Sequence, residues 1–474
     1  MQRDEYYFVA CGLHPDWGYV DHPPLVPWIA GAIYKLFGDN LFALRLPAAL
    51  AGAALVVLTM HACAWFGGDR FARLLAGLAV IVAPAYLRMG GMLNLPVFEQ
   101  LFWLWGSLLV FQIAKHARPL NHYLLVGAVA GIGLLNKHSM LLWGAGLVVA
   151  MLFTPLRRNL RTRWPYLGAG LALLAFLPNL LWQAHSGWAT LEFLRGMSDG
   201  TLRQISRGLF LLGQLLYMHP LTVPLWGSGL WWLWSTGGRH ARPFAIQYLV
   251  VLGVLLLTSA KPYYLAPVYP LLFAAGGVQV SIGASLWSRT MRSLAVAVLV
   301  VGGGALGAFT LPLLPLAMVD ATITKLFRGT VAPKDLTMDA HDQFGWKEQA
   351  STLASVSASV SEHLSDHSLP LAIVTGNYGE ASTLQYFRRR YSLPPVYSGN
   401  MSQYLWPPPI GLFRVVTYGL GPKGIERLCE HRHRVGVIEH PLALETDIPV
   451  MLCEEPINLR DLWPTLKRYR HGSE

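Results

Sequence analysis

Ten apolar runs follow one another between residues 41 and 318, and they decide what this chain can fold into. They lie near 41–66, 71–87, 97–115, 120–136, 139–156, 164–182, 208–234, 244–260, 263–282 and 291–316. Each is long enough, as a helix rising 1.5 Å per residue, to cross most or all of ~30 Å of hydrocarbon. With 53% hydrophobic and only 13% charged residues, a water-soluble globule is excluded. The expected fold class is mainly α: a polytopic membrane helical bundle of about ten spans, with a small extramembrane α/β domain at the C-terminus.

The net charge of +11 suggests a nucleic-acid partner until its placement is considered. One alternating set of loops holds Arg70, Arg73, Lys115, Arg118, Arg157, Arg158, Arg161, Arg163, Arg239, Arg242, Arg289 and Arg292. The other set holds only Arg88, Lys137, Arg195, Arg203, Arg207 and Lys261. The positive-inside rule places the first set in the cytoplasm. Residues 1–40 and 319–474 are then extracytoplasmic, the basic pI is mostly topology, and no nucleic acid is expected. No apolar segment precedes Asp4. An external N-terminal loop normally follows a span that carries it across, so a membrane helix is expected upstream of Met1.

Three parts are expected. Residues 1–40 form an external loop with a re-entrant or interfacial helix at 25–37, between Pro24 and Gly38. Residues 41–318 are the membrane core. In 319–474, Asp, Glu, His and Ser return and short segments replace long apolar runs. Leu371–Thr375 and Val435–Ile438 read as buried strands and Ala381–Arg390 as a helix. Of four cysteines, Cys429 and Cys453 share the external tail and can pair in an oxidising compartment. No metal-ligand spacing is present, yet carboxylates alone can hold a divalent metal ion, so a metal stays open.

Four polar constellations fall in the external set of loops. The first is Asp4 and Glu5 with Asp21, His22, Pro23 and Pro24. A base that activates an acceptor hydroxyl or amine is a carboxylate or imidazole partly shielded from water, and the prolines would stiffen the loop carrying it. The second runs from Arg88 through Asn94 to Glu99, an acid at the start of a span, where an unpaired charge is costly. The third is Asn136, Lys137 and His138. The fourth is Lys261, Pro262, Tyr263 and Tyr264. Lysines on the outer face oppose the positive-inside bias and invite an anion, which a lipid-linked phosphate would satisfy. Taken singly, each constellation also suits a structural role: a capped polar loop, an acid favoured by a helix dipole, or a lysine snorkelling to head groups. Their shared face favours one site. Asp4, Glu5, Asp21 and Glu99 are the catalytic candidates. Lys137, Lys261, Tyr263, Tyr264 and Arg88 are assigned to a donor phosphate, and His22, Asn94 and His138 to acceptor or sugar contacts.

These segments, in this order, resemble those of the GT-C polytopic membrane glycosyltransferases. The likeness is to the family-39-like enzymes related to protein mannosyltransferases and the lipid A aminoarabinose transferase. It is carried by Asp4-Glu5-Tyr6-Tyr7, Gly18-Tyr19-Val20-Asp21-His22-Pro23-Pro24-Leu25, Leu44-Arg45-Leu46, Gly133-Leu134-Leu135-Asn136-Lys137 and Lys261-Pro262-Tyr263-Tyr264-Leu265 with Tyr269-Pro270. Phe344-Gly345-Trp346 and Asn377-Tyr378-Gly379-Glu380-Ala381 are similar too. The resemblance implies an inverting transfer from a polyprenyl-phosphate sugar to a lipid, glycan or protein acceptor, with Asp4 as general base, in a bacterial inner membrane. Two features depart from the family. The membrane helix that normally precedes the Asp-Glu pair is absent, and Asn94 stands where many relatives carry Asp, with Glu99 five residues on. Competing readings are a transporter or flippase of a lipid-linked glycan and a non-catalytic membrane glycan-binding protein. The charged residues gather at span ends rather than in mid-span, which favours the transferase.

Overall fold

The computed structural model describes all residues except 117–118, 200–204, 236, 284–286, 312, 327, 330–331, 364–368 and 471–474. Arg118 and Arg203, counted above for topology, lie outside the described residues. The chain divides into two compact units: Met1–Leu41 with Trp182–Leu202 and Leu314–Glu474, and Phe42–Leu181 with Arg203–Leu313.

The second unit is helical, and each of the ten apolar runs carries a helix there or at its border. Among the described residues, five are long and apolar enough to cross a membrane: Leu41–Phe66, Leu95–Lys115, Trp164–His185, Pro262–Gly283 and Arg289–Thr310. Up to eight qualify if three bent pairs each count as one span. The bends of 66°, 102° and 86° have one local cause. They fall at Ala83-Pro84, Thr154-Pro155 and His219-Pro220, where the proline ring disfavours helical backbone at the residue before it and removes an N–H. Hydropathy runs through these breaks without registering them. The two remaining runs fold as His122–Asn136 and Arg242–Leu257, of 15 and 16 residues, short of a full crossing.

Burial sorts the long helices. Leu41–Phe66, Trp164–His185 and Arg289–Thr310 are only 17–28% buried although strongly apolar, so hydrocarbon must cover them. Leu95–Lys115 and Pro262–Gly283 are 78% buried and form the centre of the unit. Both carry candidate residues.

In the first unit, residues expected to be loop form a helix at Arg3–Leu13. Gln2 and Glu5 make a reciprocal capping box, and Asp4 and Glu5 sit at the positive end of the helix dipole. The expected helix follows at Leu25–Phe37 and stops at Gly38, whose φ of +63° suits glycine. The two helices touch backbone to backbone: a Cβ on Gly12 would lie 2.1 Å from the Pro27 carbonyl oxygen.

The α/β region holds β1 (Leu371–Thr375), β2 (Val396–Tyr397), β3 (Leu412–Tyr418), β4 (Arg432–Ile438), β5 (Ile448–Cys453) and β6 (Ile457–Asn458). Their order is β2-β1-β3-β5-β4, with β6 pairing β3. β1 is parallel to β2 and β3, and β5 is antiparallel to β3 and β4. The uninterrupted apolar β1 is buried as a central parallel strand should be. The expected helix spans Tyr378–Tyr391, and Cys429 is disulfide-bonded to Cys453 with Cα atoms 5.7 Å apart.

The N-terminal helix belongs to this region rather than standing apart as a loop. Tyr6 packs in one core with Trp346, Leu353 and Phe387, and Tyr7 in another with Tyr19, Trp182, Tyr378 and Met401. Each aromatic so buried contributes about 1.5–3 kcal/mol.

Candidate active site

Within the first unit, two carboxylates are each held by a buried tyrosine. The Tyr378 phenol donates to Asp4 Oδ1 at 2.8 Å, and the Tyr7 phenol donates to Asp21 Oδ1 at 2.8 Å. The two tyrosine rings lie 4.6 Å apart, so Asp4 and Asp21 are linked through one aromatic pair. Burial, and then the adjacent aspartate, push both phenols well above their ordinary pKa, which keeps them neutral donors. Tyr7 is itself fixed by Ser402, whose N–H donates to the phenol oxygen at 3.1 Å and whose hydroxyl lies 2.7 Å away. Ser402 Oγ also accepts the Val20 N–H, so it braces the chain beside Asp21.

His22 is buried against the rings of Tyr7, Phe8 and Tyr19. Its Nδ1 faces the Pro23 carbonyl at 3.1 Å, so that nitrogen carries the proton. Its Nε2 stands 3.7 Å from Asp21 Oδ1, with no hydrogen-bond partner among the described residues. The histidine is therefore placed behind Asp21 more than towards an acceptor. Glu5 has no exposed surface, and its carboxylate accepts the Gln2 N–H of the capping box, a structural duty.

Arg3 anchors the helix that carries Asp4. Its Nε and Nη2 reach Asp342 Oδ1 at 2.7 and 2.6 Å, and Nη1 reaches Glu445 Oε1 at 2.9 Å. Burial outweighs the arginine's attraction and pushes the Asp342 carboxyl up to about 6. Glu380, fully buried, accepts the N–H groups of Gly376 and Asn377 and is likewise raised, by burial and then by the charge of Glu445.

The second unit holds the other candidates. Glu99, in the second turn of the buried Leu95–His116 helix, accepts from Lys137 Nζ at 2.7 Å and from the Ser139 hydroxyl. Lys137 Nζ also lies 4.7 Å from the centre of the Tyr264 ring and 6.0 Å from that of Tyr263. The lysine that seemed to call for an external anion thus has an internal one in Glu99. Lys261 is exposed at the start of the turn that bears both tyrosines. Asn94 is spent locally: its amide donates to the Met89 and Met92 carbonyls and its oxygen caps the Val97 N–H. His138 Nε2 lies 3.3 Å from Asn179 Oδ1, and Arg88 is half-buried at the end of Pro84–Gly90.

Sequence reasoning assigned no role to Tyr7, Tyr378, Ser402, Arg3 or Ser139. A signal existed for the first two, since both lie in segments that carry the family resemblance. Among the described residues, no group of three His, Cys, Asp or Glu side chains gathers as a metal would need.

Residues 21–182 match the family model described as dolichyl-phosphate-mannose-protein mannosyltransferase. The chain is 26% identical over 301 residues to undecaprenyl phosphate-alpha-4-amino-4-deoxy-L-arabinose arabinosyl transferase 1 of Pseudomonas fluorescens, covering 60% of this chain and 54% of that protein. It is 26% identical over 264 residues to the lipid A galacturonosyltransferase RgtD of Rhizobium johnstonii, covering 54% of each. The chain spans about half the length of the curated relatives it matches. Among solved structures, ArnT from Cupriavidus metallidurans in the apo state superposes with a TM-score of 0.58 at 18% identity, covering 98% of this chain and 94% of that one. The same protein bound to undecaprenyl phosphate gives 0.58 at 17% identity, over 95% and 93%. The expected fold class holds in its mainly helical, multi-pass membrane core with the ArnT fold and a small C-terminal sheet, but with five to eight candidate spans among the described residues in place of about ten.

Proposed function

We propose that this chain, a relative of the GT-C membrane glycosyltransferases, transfers a sugar from a polyprenyl-phosphate donor to a glycolipid acceptor on the extracytoplasmic face of a bacterial inner membrane. The observation that carries the reading is the pair of tyrosine-held carboxylates, Asp4 and Asp21, in a chain with the ArnT fold. The names of the two curated relatives, an arabinosyl transferase and a lipid A galacturonosyltransferase, support the donor and acceptor classes.

In the proposed step an acceptor hydroxyl attacks the anomeric carbon as the bond from that carbon to the phosphate oxygen breaks. The acceptor's proton passes to Asp4, the polyprenyl phosphate leaves with the bonding electrons, and the anomeric configuration inverts. Tyr378 keeps Asp4 aimed, and Asp21 with His22 is the second carboxylate system. The charge gathering on the departing phosphate is neutralised by Lys137, whose ammonium is held by Glu99, itself fixed by the Ser139 hydroxyl, with Lys261, Tyr263, Tyr264 and Arg88 as further donors.

The test is direct. Purified protein in lipid nanodiscs is given lipid A and undecaprenyl phosphate carrying labelled aminoarabinose or labelled galacturonic acid. Label should move to the lipid A fraction with stoichiometric release of undecaprenyl phosphate. Bound but untransferred label would favour a binding protein, and label crossing a sealed vesicle without bond cleavage would favour a flippase.

A further inference from the structure

The three parallel strands of the α/β region end at one place. A crevice of roughly 420 Å³, counting its open mouth, is bordered by Gly376 just beyond β1, Asn400 beyond β2 and Leu420 beyond β3. β1 sits between β2 and β3, and the chain leaves β1 for β2 on one side before returning to β3 on the other. That is a topological switch point, where open α/β sheets bind ligands outside the carboxyl ends of their strands. The strand ends meet closely, since a Cβ on Gly376 would fall 1.8 Å from the Gly419 carbonyl oxygen.

The lining is cationic. Arg427, Lys467 and Arg468 border the crevice, and no Asp or Glu is among the described residues that line it; the Glu380 carboxylate lies behind it, bonded to the Gly376 N–H. Lys467 reaches Glu192 at 2.7 Å, but that pair is half-exposed and worth little against a dianion. Asn400 donates to the Arg468 and Arg470 carbonyls at 3.0 and 2.9 Å, which pins the C-terminal segment bearing two of the cations to the strand ends.

We infer that this crevice is a binding site for a phosphate monoester, separate from the residues assigned to the transfer reaction. Two guanidinium groups and an ammonium match a phosphate's charge and its several acceptor oxygens. The group can come from the phosphorylated saccharide of a membrane glycolipid or from free phosphate.

Isothermal titration of the full chain in detergent with inorganic phosphate and with glucosamine 1-phosphate tests this, with no donor or turnover involved. Failure here therefore leaves the transfer reading untouched. Saturable binding of at least one probe is expected, tighter for the sugar phosphate if a glycolipid is the source and tighter for inorganic phosphate if it is not. Arg427→Ala, on an exposed helical position, should weaken binding by roughly tenfold or more, and Lys467→Ala should weaken it too. Lys137→Ala should leave it unchanged. Absence of saturable binding, wild-type affinity in both crevice variants, or loss of binding in Lys137→Ala would overturn the assignment.

Discussion

The phenol of Tyr378 donates a 2.8 Å hydrogen bond to the carboxylate of Asp4, 374 residues earlier in the chain. The bond makes the C-terminal α/β region part of the apparatus that aims the N-terminal acids. Tyr7 holds Asp21 in the same way from 14 residues away, and is itself braced by Ser402, 395 residues further on.

Asp4→Asn preserves size and most hydrogen bonding while removing basicity. Turnover should fall by about 10² to 10⁴ with donor affinity nearly unchanged. Tyr378→Phe leaves the carboxylate but frees it, so a smaller loss of roughly tenfold in kcat is expected, with KM little altered. Full turnover in Asp4→Asn would move the base to Asp21.

For the Lys137–Glu99 pair, Lys137→Ala should lower kcat/KM by roughly ten- to a hundredfold through the lost phosphate contact. Glu99→Gln should act in the same direction but less, because the ammonium stays and only its placement suffers. A Glu99→Gln effect as large as that of Asp4→Asn would mean that Glu99 itself handles the proton. Wild-type kinetics in Lys137→Ala would return that lysine to a packing role.

The raised Asp342 carboxyl predicts a pH dependence of stability. In the folded chain it keeps its proton to about pH 6, whereas the unfolded chain releases it near 3.8. Its stabilising contribution is thus full below about pH 4 and is lost as pH rises through about 6, by roughly 1–3 kcal/mol. Glu380, raised in the same direction, adds the same sign. Thermal unfolding followed by tryptophan fluorescence should give a decline between pH 4 and 7 that is shallower in Asp342→Asn. Parallel profiles for the two proteins would remove Asp342 as a cause.

Membrane sidedness is tested by single-cysteine labelling in a background lacking the four native cysteines. An impermeant maleimide on intact cells should modify Ser361→Cys and spare Arg158→Cys, both of which replace exposed residues. The opposite pattern would invert the topology and remove the extracytoplasmic assignment.

The helical membrane core was legible because hydrocarbon leaves a backbone few options, and runs of apolar residues announce helices whatever their neighbours. β1, the Tyr378–Tyr391 helix and the Cys429–Cys453 pair were legible for similarly local reasons of pattern and composition. The bends at Pro84, Pro155 and Pro220 were only partly legible, because a hydropathy average does not register a single residue that disfavours helical backbone, and Pro47 and Pro178 sit inside unbroken helices.

Side-chain roles were legible only as far as residue type determines them. The sequence by itself determined that Asp4, Asp21, Glu99 and Lys137 are costly charges needing partners, because burying any of them alone is unfavourable. It did not determine which partner each would find. Glu99 and Lys137 neutralise each other across 38 positions, Glu5 turns back to cap its own helix, and Asp4 and Asp21 are met by the tyrosines Tyr378 and Tyr7, the second of them braced by Ser402. Those pairings depend on which backbones pack together, and packing is decided by the whole buried surface at once. Only the tertiary structure, which sums that surface over distant segments, could separate the acids held by tyrosines from the acid that caps its own helix.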